Sequence, residues 1–166
     1  MLIRTIRPDD AEQSLNLRKK LDQETRFMLF EPGERTTTVE EQRDHIQRLL
    51  LQENSKIFVA EHNGQLVGYL EASGGQFRRN RHSVHIVIGI LQDFTGQGIG
   101  GQLFAALEEW AHQQSITRLE LTVMTHNQAG MALYKKRGFT IEGTKNQSLL
   151  INGRYVDEYY MAKLLD

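Results

Sequence analysis

Four glycines lie within the seven residues Thr95–Gly101, between a predicted strand and a predicted helix. A backbone without side chains can approach an anion closely, and the free N–H groups of the first helical turn then face it, assisted by the positive end of the helix dipole. The chemistry this spacing predicts is the binding of a diphosphate. A tight turn that requires positive φ is the alternative explanation.

Two known phosphate-binding motifs do not account for the glycine cluster. A Walker loop requires Lys and then Ser or Thr after its last glycine, where this chain has Gln102-Leu103. The spacing Gly96-x-Gly98-x-x-Gly101 does match the dinucleotide fingerprint, and Glu120 stands near the position of the ribose-binding acid. However, Glu120 lies inside a predicted strand, and only 166 − 101 = 65 residues follow Gly101, too few for the remaining repeats of that fold.

The segment Ile88–Gly100, IGILQDFTGQGIG, resembles motif A of the GNAT-type N-acetyltransferase superfamily. In that family the loop reads Arg/Gln-x-x-Gly-x-Gly/Ala and binds the pyrophosphate of acetyl-coenzyme A. Thr95 takes the first position here, a mild departure because such loops bind phosphate mainly through backbone N–H groups. A second block, NQAGMALYKKRGF (Asn127–Phe139), is similar to the family's Asn-x-x-Ala/Gly…Tyr-x-x-x-Gly-Phe segment. The two motifs in this order imply an acetyl-coenzyme A-dependent N-acetyltransferase.

The resemblance implies where the coenzyme binds. In the family, two parallel strands splay apart beside the glycine loop, and the pantetheine arm lies between them. The backbone groups of Ile88 and Ile90 are expected to pair with the arm, and the N–H of Ile90 or a neighbour to polarise the thioester carbonyl. Asn127 is expected to contact the arm besides capping its helix. No metal site is predicted. The predicted coenzyme-binding residues are Ile88, Ile90, Thr95, Gly96, Gln97, Gly98, Ile99, Gly100, Gly101, Asn127 and Lys136.

Tyr134 and His82 are the predicted catalytic residues. A phenol stays protonated at pH 7 and can donate a proton to the departing thiolate. Some family members place a Glu base where this chain has Val84. His82 has the same strand parity as Val84 and is our predicted base, while His85 is expected on the opposite face. Glu71, or a chain of water molecules without a single base, is the alternative.

The acceptor is predicted to be a primary amine of a small molecule that attacks the thioester directly. Acetylation of protein N-termini or lysines is one alternative, and a non-catalytic coenzyme A-binding domain is another. The segment Phe27–Arg35, apolar before it turns, is expected to form the substrate-side loop. Acceptor specificity lies in loops without a transferable signature, so the sequence does not separate small molecules from peptides.

The composition excludes several classes of protein. A chain of 166 residues, 39% apolar and 25% charged, predicts a single N-acetyltransferase domain over residues 1–166. The net charge of −1 argues against a nucleic-acid partner. The lack of cysteine excludes disulfides, thiolate zinc sites and a cysteine nucleophile. The sequence has no apolar run of about 18 residues and no signal sequence, so no membrane partner is predicted and a cytoplasmic location is expected. A homodimer is a common assembly of such proteins and is the expected one here.

The hydrophobic periodicity places these motifs in a mixed α/β fold. Thr38 and Glu41 form a capping box that begins a helix, and Asn63-Gly64 predicts a tight hairpin between two strands. The predicted order is β-α-α-β-β-β-α-β-α-β-β, which makes an α+β mixed sheet. The expected fold is GNAT-like, with a mostly antiparallel sheet that is splayed at the acetyl-coenzyme A site.

Overall fold

The seven strands and four α-helices follow the predicted order along the chain. The structure is a computed structural model that describes residues 1–166. Two 3-10 turns, Pro8–Asp10 and Gln92–Phe94, precede the first helix and the glycine loop. The elements are β1 (Leu2–Thr5), α1 (Ala11–Glu24), α2 (Val39–Leu50), β2 (Lys56–His62), β3 (Gln65–Gly74), β4 (Ser83–Ile90), α3 (Ile99–Gln113), β5 (Arg118–Met124), α4 (Gln128–Lys136), β6 (Thr140–Ile151) and β7 (Arg154–Leu164).

All seven strands belong to one sheet, in the order β1-β2-β3-β4-β5-β7-β6. Every neighbouring pair is antiparallel except β4 and β5, which are parallel. That parallel pair covers only Ser83–His85 against Arg118–Glu120. Beyond these residues β4 continues to Ile90 and β5 to Met124 without pairing to each other. The sheet therefore opens between its two central strands, which confirms the predicted splay.

Helices cover both faces of the sheet. Arg18 of α1 donates a hydrogen bond to Glu71 of β3, so α1, with α2 beside it, lies on the Glu71 face. Trp110 of α3 packs edge-on against Phe58 of β2, whose partner in β3 is Leu70. Because successive side chains of a strand point to opposite faces, Leu70 and Glu71 face opposite sides and α3 covers the second face.

Local sequence signals account for several of these elements. The Thr38 hydroxyl accepts from the Glu41 N–H (3.1 Å) and the Glu41 carboxylate from the Thr38 N–H (3.2 Å), which is the predicted capping box. Asn63 and Gly64 both have positive φ, 49° and 81°, as a two-residue hairpin turn requires. The apolar residues of α3 that recur at helical spacing are buried: Ile99, Leu103, Leu107, Trp110 and Ala111.

Two segments lie between the regular elements at the start of the chain. β1 ends at Thr5, because the chain turns into the Pro8–Asp10 helical turn. The segment from Phe27 to Gly33 lies outside both neighbouring helices, as a loop does. No α-helix in the structure combines the length and the apolar character needed to cross a membrane.

Candidate active site

The gap between β4 and β5 exposes backbone hydrogen-bonding groups. Gly75 N–H donates to the Ser83 carbonyl (3.0 Å) and Leu91 N–H to the Val67 carbonyl (2.9 Å), so odd-numbered residues of β4 bond to β3. In a strand the groups of alternate residues point to opposite sides within the sheet. The N–H and C=O groups of Ile88 and Ile90 therefore point toward β5, where the pairing has already ended. An extended ligand placed in this gap has two residues of β4 backbone with which to pair.

The glycine loop begins α3 at the mouth of the gap. Gly98 is the residue before the first helical turn, has φ 79° and provides no capping side chain. A Cβ added at Gly98 would meet no atom within 4 Å, so this position faces open space. At Gly100 a Cβ would lie 2.8 Å from Leu133 Cδ2, because α4 packs closely against the loop. The free N–H groups of the first turn of α3 can thus face an anion in the cleft.

Two predicted site residues lie on α4. The Asn127 carboxamide oxygen accepts from the Gly130 N–H (2.9 Å) and caps the helix, as expected. Tyr134 is buried and packs edge-on against Phe104, with ring centroids 6.0 Å apart. Burial, with a smaller effect of Tyr69, raises the pKa of Tyr134 to about 12. Asn127 and Tyr134 both line the same cleft. Because its pKa is raised, the Tyr134 phenol stays protonated at neutral pH and can donate a proton beside the gap.

The structure separates the two candidate histidines. His82 precedes β4 at the closed end of the splay and lines a small polar cavity of about 150 Å³ with Glu53 and Arg81. It does not line the cleft, and its position does not support the predicted role as a base. His85 does line the cleft. Val84, at the position of the family's Glu, is fully buried.

Glu71 is engaged in a network behind the cleft. Its Oε1 accepts from Arg18 (2.8 Å) and lies 3.0 Å from Nε2 of His45. Burial raises the pKa of Glu71, but the hydrogen bond with His45 and the charge and hydrogen bond of Arg18 outweigh burial and hold the pKa at about 2. A carboxylate this acidic is a weak base at neutral pH, and Glu71 does not line the cleft.

The cleft has a volume of about 1020 Å³ and brings together most of the predicted coenzyme residues. Gln97 and Lys136 are the predicted members that do not line it. The Gln97 side chain instead donates to the Asp93 carbonyl at 3.4 Å. The predicted members in the lining are Ile88, Ile90, Thr95, Gly96, Gly98, Ile99, Gly100, Gly101 and Asn127, with Tyr134 beside them.

A second part of the cleft comes from elements remote from the glycine loop. Phe27, Met28 and Leu29 line it from the segment between α1 and α2, the segment expected to form the substrate-side loop. The ring of Phe27 contacts that of His126, with centroids 5.2 Å apart, so this segment reaches the loop before α4. Sequence reasoning missed the lining residues of β6 and β7, because no motif marks them: Lys145, Ser148, Leu149 and Glu158.

Comparison with known proteins assigns the family. The family model described as the acetyltransferase (GNAT) family matches residues 19–139, well over half of the chain. This chain belongs to the GNAT acetyltransferase family. The family assignment confirms the predicted resemblance and the prediction of an acyltransferase.

Named relatives and solved structures agree with the family assignment. The L-amino acid N-acetyltransferase AaaT of Escherichia coli K12 is 35% identical over 124 residues, 73% of this chain and 76% of that protein. A GNAT acetyltransferase of Streptococcus pneumoniae is 31% identical and covers 99% of both chains with a TM-score of 0.95, which confirms the fold class. A phosphinothricin acetyltransferase of Sinorhizobium meliloti, solved with acetyl-coenzyme A, shares the fold at 19% identity, with a TM-score of 0.85 over 99% of this chain and 88% of that one.

Proposed function

We propose that this protein transfers the acetyl group of acetyl-coenzyme A to the primary amine of a small molecule, namely the α-amino group of an L-amino acid, within a single domain of residues 1–166. The observation that carries the proposal is the gap between β4 and β5 beside the glycine loop. Family membership and the acetyl-coenzyme A complex of a structural neighbour support the donor. Similarity to AaaT supports the amino-acid acceptor.

The half of the cleft beside the glycine loop, which we call the donor half, offers groups that match the diphosphate, the pantetheine arm and the thioester of the coenzyme. The first turn of α3 after Gly98 offers N–H groups to the diphosphate. The backbone of Ile88 and Ile90 offers N–H and C=O groups to the amides of the pantetheine arm, and Asn127 lies on the facing wall. The N–H of Ile90 or a neighbour is positioned to stabilise the negative charge that develops on the thioester oxygen.

The acyl transfer requires a neutral amine and a proton for the leaving thiolate. An amine with a pKa of about 10 is neutral in only about one molecule in a thousand at pH 7. Tyr134 supplies the proton in our proposal, since it lies in the cleft and stays protonated. No carboxylate occupies the family's base position at Val84, so water takes the ammonium proton in our proposal.

We call the part of the cleft lined by Phe27–Leu29 and by the β6–β7 hairpin its acceptor side. The shape of this part supports a small molecule over an extended peptide as the acceptor. The contact of Phe27 with His126 places the segment between α1 and α2 across the cleft. Met28 and Leu29, the next residues of that segment, also line the cleft. An extended peptide needs an open groove, and this segment narrows the one available.

A panel of acceptors with acetyl-coenzyme A tests the proposal, with the released coenzyme A thiol as the readout. The panel contains L-amino acids, polyamines, amino sugars and peptides with free N-termini. We expect turnover with L-amino acids at a higher kcat/KM than with any peptide. Turnover with peptides alone would establish the protein-acetylating alternative. Coenzyme binding without turnover would establish a non-catalytic binding domain.

The assembly and location that we propose are a homodimer in the cytoplasm. Sedimentation velocity at micromolar concentration tests the dimer, since a dimer and a monomer of this chain differ twofold in mass. Cell fractionation with an antibody to the chain tests the location.

A further inference from the structure

Two opposite charges face each other across the β6–β7 hairpin inside the acceptor side of the cleft. Lys145 of β6 is the register partner of Glu158 of β7, and both residues line the cleft. Directly opposed residues of an antiparallel pair project from the same face of the sheet. Lys145 is the only Lys or Arg in the lining. Yet none of the twelve ion pairs of the structure joins it to Glu158, so both charges remain available.

A bulge in β6 fixes the carboxylate of Glu158. The register shifts between Lys145 and Leu149, so that three residues of β6 oppose the single residue Asp157 of β7. Gln147 adopts positive φ within the bulge, and its N–H donates to Oδ1 of Asp157 (2.7 Å). The Ser148 hydroxyl donates to Oε1 of Glu158 (2.5 Å). This bond orients the carboxylate and leaves Oε2 for a ligand.

The pair lies beside the open end of the gap. The partner of Glu158 in β5 is Met124, the last residue of that strand, and Asn127 follows three positions later. Of the other titratable groups in the lining, Glu24 already accepts from the N–H of Gln92 (2.9 Å). His85 lies at the closed end, where β4 and β5 are still paired. Glu158 is thus joined to the end of β5 that leads to Asn127, and the Lys145–Glu158 pair lies on the acceptor side at the open end of the gap.

We propose that Lys145 and Glu158 recognise the zwitterionic head group of an α-amino acid, with the acceptor's carboxylate on Lys145 and its ammonium on Glu158. Both roles depend on the amino-acid acceptor of the proposed function. The zwitterion of an α-amino acid carries its ammonium and its carboxylate on the same carbon atom, and a Lys and a Glu on opposed positions without a mutual ion pair are its complement. Acetylation converts the ammonium into a neutral amide, so the product loses its interaction with Glu158 and is released more readily.

The role of Lys145 is tested by comparing an acid with its amide. Wild type, Lys145→Met, Lys145→Arg and Lys19→Met are assayed with L-methionine and L-leucine and with their primary carboxamides. We expect Lys145→Met to lower kcat/KM for the acids about 10- to 100-fold, as loss of a charge-assisted hydrogen bond predicts, while the carboxamides change less than about twofold. Lys145→Arg should retain most of the preference. Lys19, exposed on α1 outside the cleft, is the matched control.

The variant Glu158→Gln should lower kcat/KM for the acids and the carboxamides alike, by about 10-fold or more, because both carry the ammonium. The preference for the acid should persist, and Glu109→Gln, an exposed change on α3, should match wild type. An unchanged acid-to-amide ratio in Lys145→Met overturns the proposal, as does a raised KM for acetyl-coenzyme A in that variant. Wild-type protein that acetylates neither acid nor amide would instead refute the proposed amino-acid acceptor itself.

Discussion

Arg35 donates from Nε to Oδ2 of Asp22 at 2.8 Å, and this ion pair ties the segment between α1 and α2 back onto α1. Asp22 is 2% exposed and the Arg35 side chain 11% exposed, so both charges are removed from water. The Arg35 guanidinium also lies 4.3 Å from the centroid of the Phe30 ring. Because Phe27 and Met28 of the same segment line the cleft, the ion pair anchors one wall of the cleft.

Breaking the Arg35–Asp22 ion pair should lower the free energy of unfolding and raise the KM for the amine. Arg35→Met leaves a buried carboxylate without its partner, which destabilises a protein by about 3–5 kcal/mol. Urea unfolding should show that loss, and the KM for the amine should rise while the dissociation constant of acetyl-coenzyme A stays within about twofold. The matched control is Arg81→Met, which removes the exposed pair with Glu53 (3.6 Å) and should change stability by less than about 1 kcal/mol. Equal losses in the two variants would contradict the structural role of the buried pair.

Acetyl-coenzyme A should raise the thermal stability of the protein in proportion to the logarithm of its concentration. At a hundredfold excess over the dissociation constant the gain is about 2.7 kcal/mol. Gly98→Asp should abolish the rise in Tm, because a negative side chain enters the diphosphate site. Gly64→Asp places the same residue at the same kind of positive φ (81° against 79°), outside the cleft, and should keep the ligand-induced rise. A normal rise in Gly98→Asp would show that the coenzyme binds elsewhere.

Replacement of Tyr134 by Phe removes the hydroxyl and preserves the ring packing against Phe104. If the hydroxyl protonates the leaving thiolate, kcat should fall by roughly 10²–10⁴ while coenzyme binding changes only a few-fold. Stopped-flow measurement of coenzyme A release on an active acceptor determines kcat. Tyr155→Phe, at an exposed position near the tip of the β6–β7 hairpin, is the control. Near-normal turnover in Tyr134→Phe would make water the proton donor.

The stability of the fold should depend on Glu71 at acid pH. Its pKa is about 2 in the folded protein against an ordinary value of 4.5, so folding is favoured by its ionisation above pH 4.5. That contribution, about 3 kcal/mol, is lost as the pH falls toward 2, and about 2 kcal/mol of it is gone by pH 3. Between pH 7 and pH 3 wild type should therefore lose about 2 kcal/mol more unfolding free energy than Glu71→Gln. Glu109→Gln should follow wild type, and parallel curves for wild type and Glu71→Gln would refute the low pKa.

The donor half of the site is predictable from sequence because it depends on local chemistry. Gly98 must adopt positive φ at the start of α3, and Asn127 must cap α4, so both residues stand in recognisable short motifs. The seven-residue spacing from Asn127 to Tyr134 places both on the side of α4 that faces the cleft. The order of the elements is predictable for the same reason. A turn such as Asn63-Gly64 is specified by its own two residues, so the sequence marks where one strand ends and the next begins.

The acceptor half depends on long-range register, which no local rule supplies. Strand parity favours His82 over His85, but parity does not reveal where the parallel pairing of β4 with β5 ends. That end point brings His85 to the cleft and leaves His82 at the closed edge. Likewise, Lys145 meets Glu158 only because of the hairpin register and its bulge. The sequence marks this pair only by a charged residue in each of two polar strands, a pattern too common to single out Lys145 and Glu158.

The bulge in β6 makes the acceptor side sensitive to the length of the hairpin as well as to its side chains. Removing one residue between Lys145 and Leu149 would move one of these residues to the other face of the sheet, because side chains alternate along a strand. The glycine loop and α4 precede the hairpin in the chain, so such a deletion leaves their own sequences unchanged. Lys145 and Glu158 also lie beyond residues 19–139, the part of the chain that the family model matches. With the role that we propose for Lys145 and Glu158, insertions and deletions in one surface hairpin offer evolution, or a protein engineer, a route to new acceptors that keeps the acetyl donor.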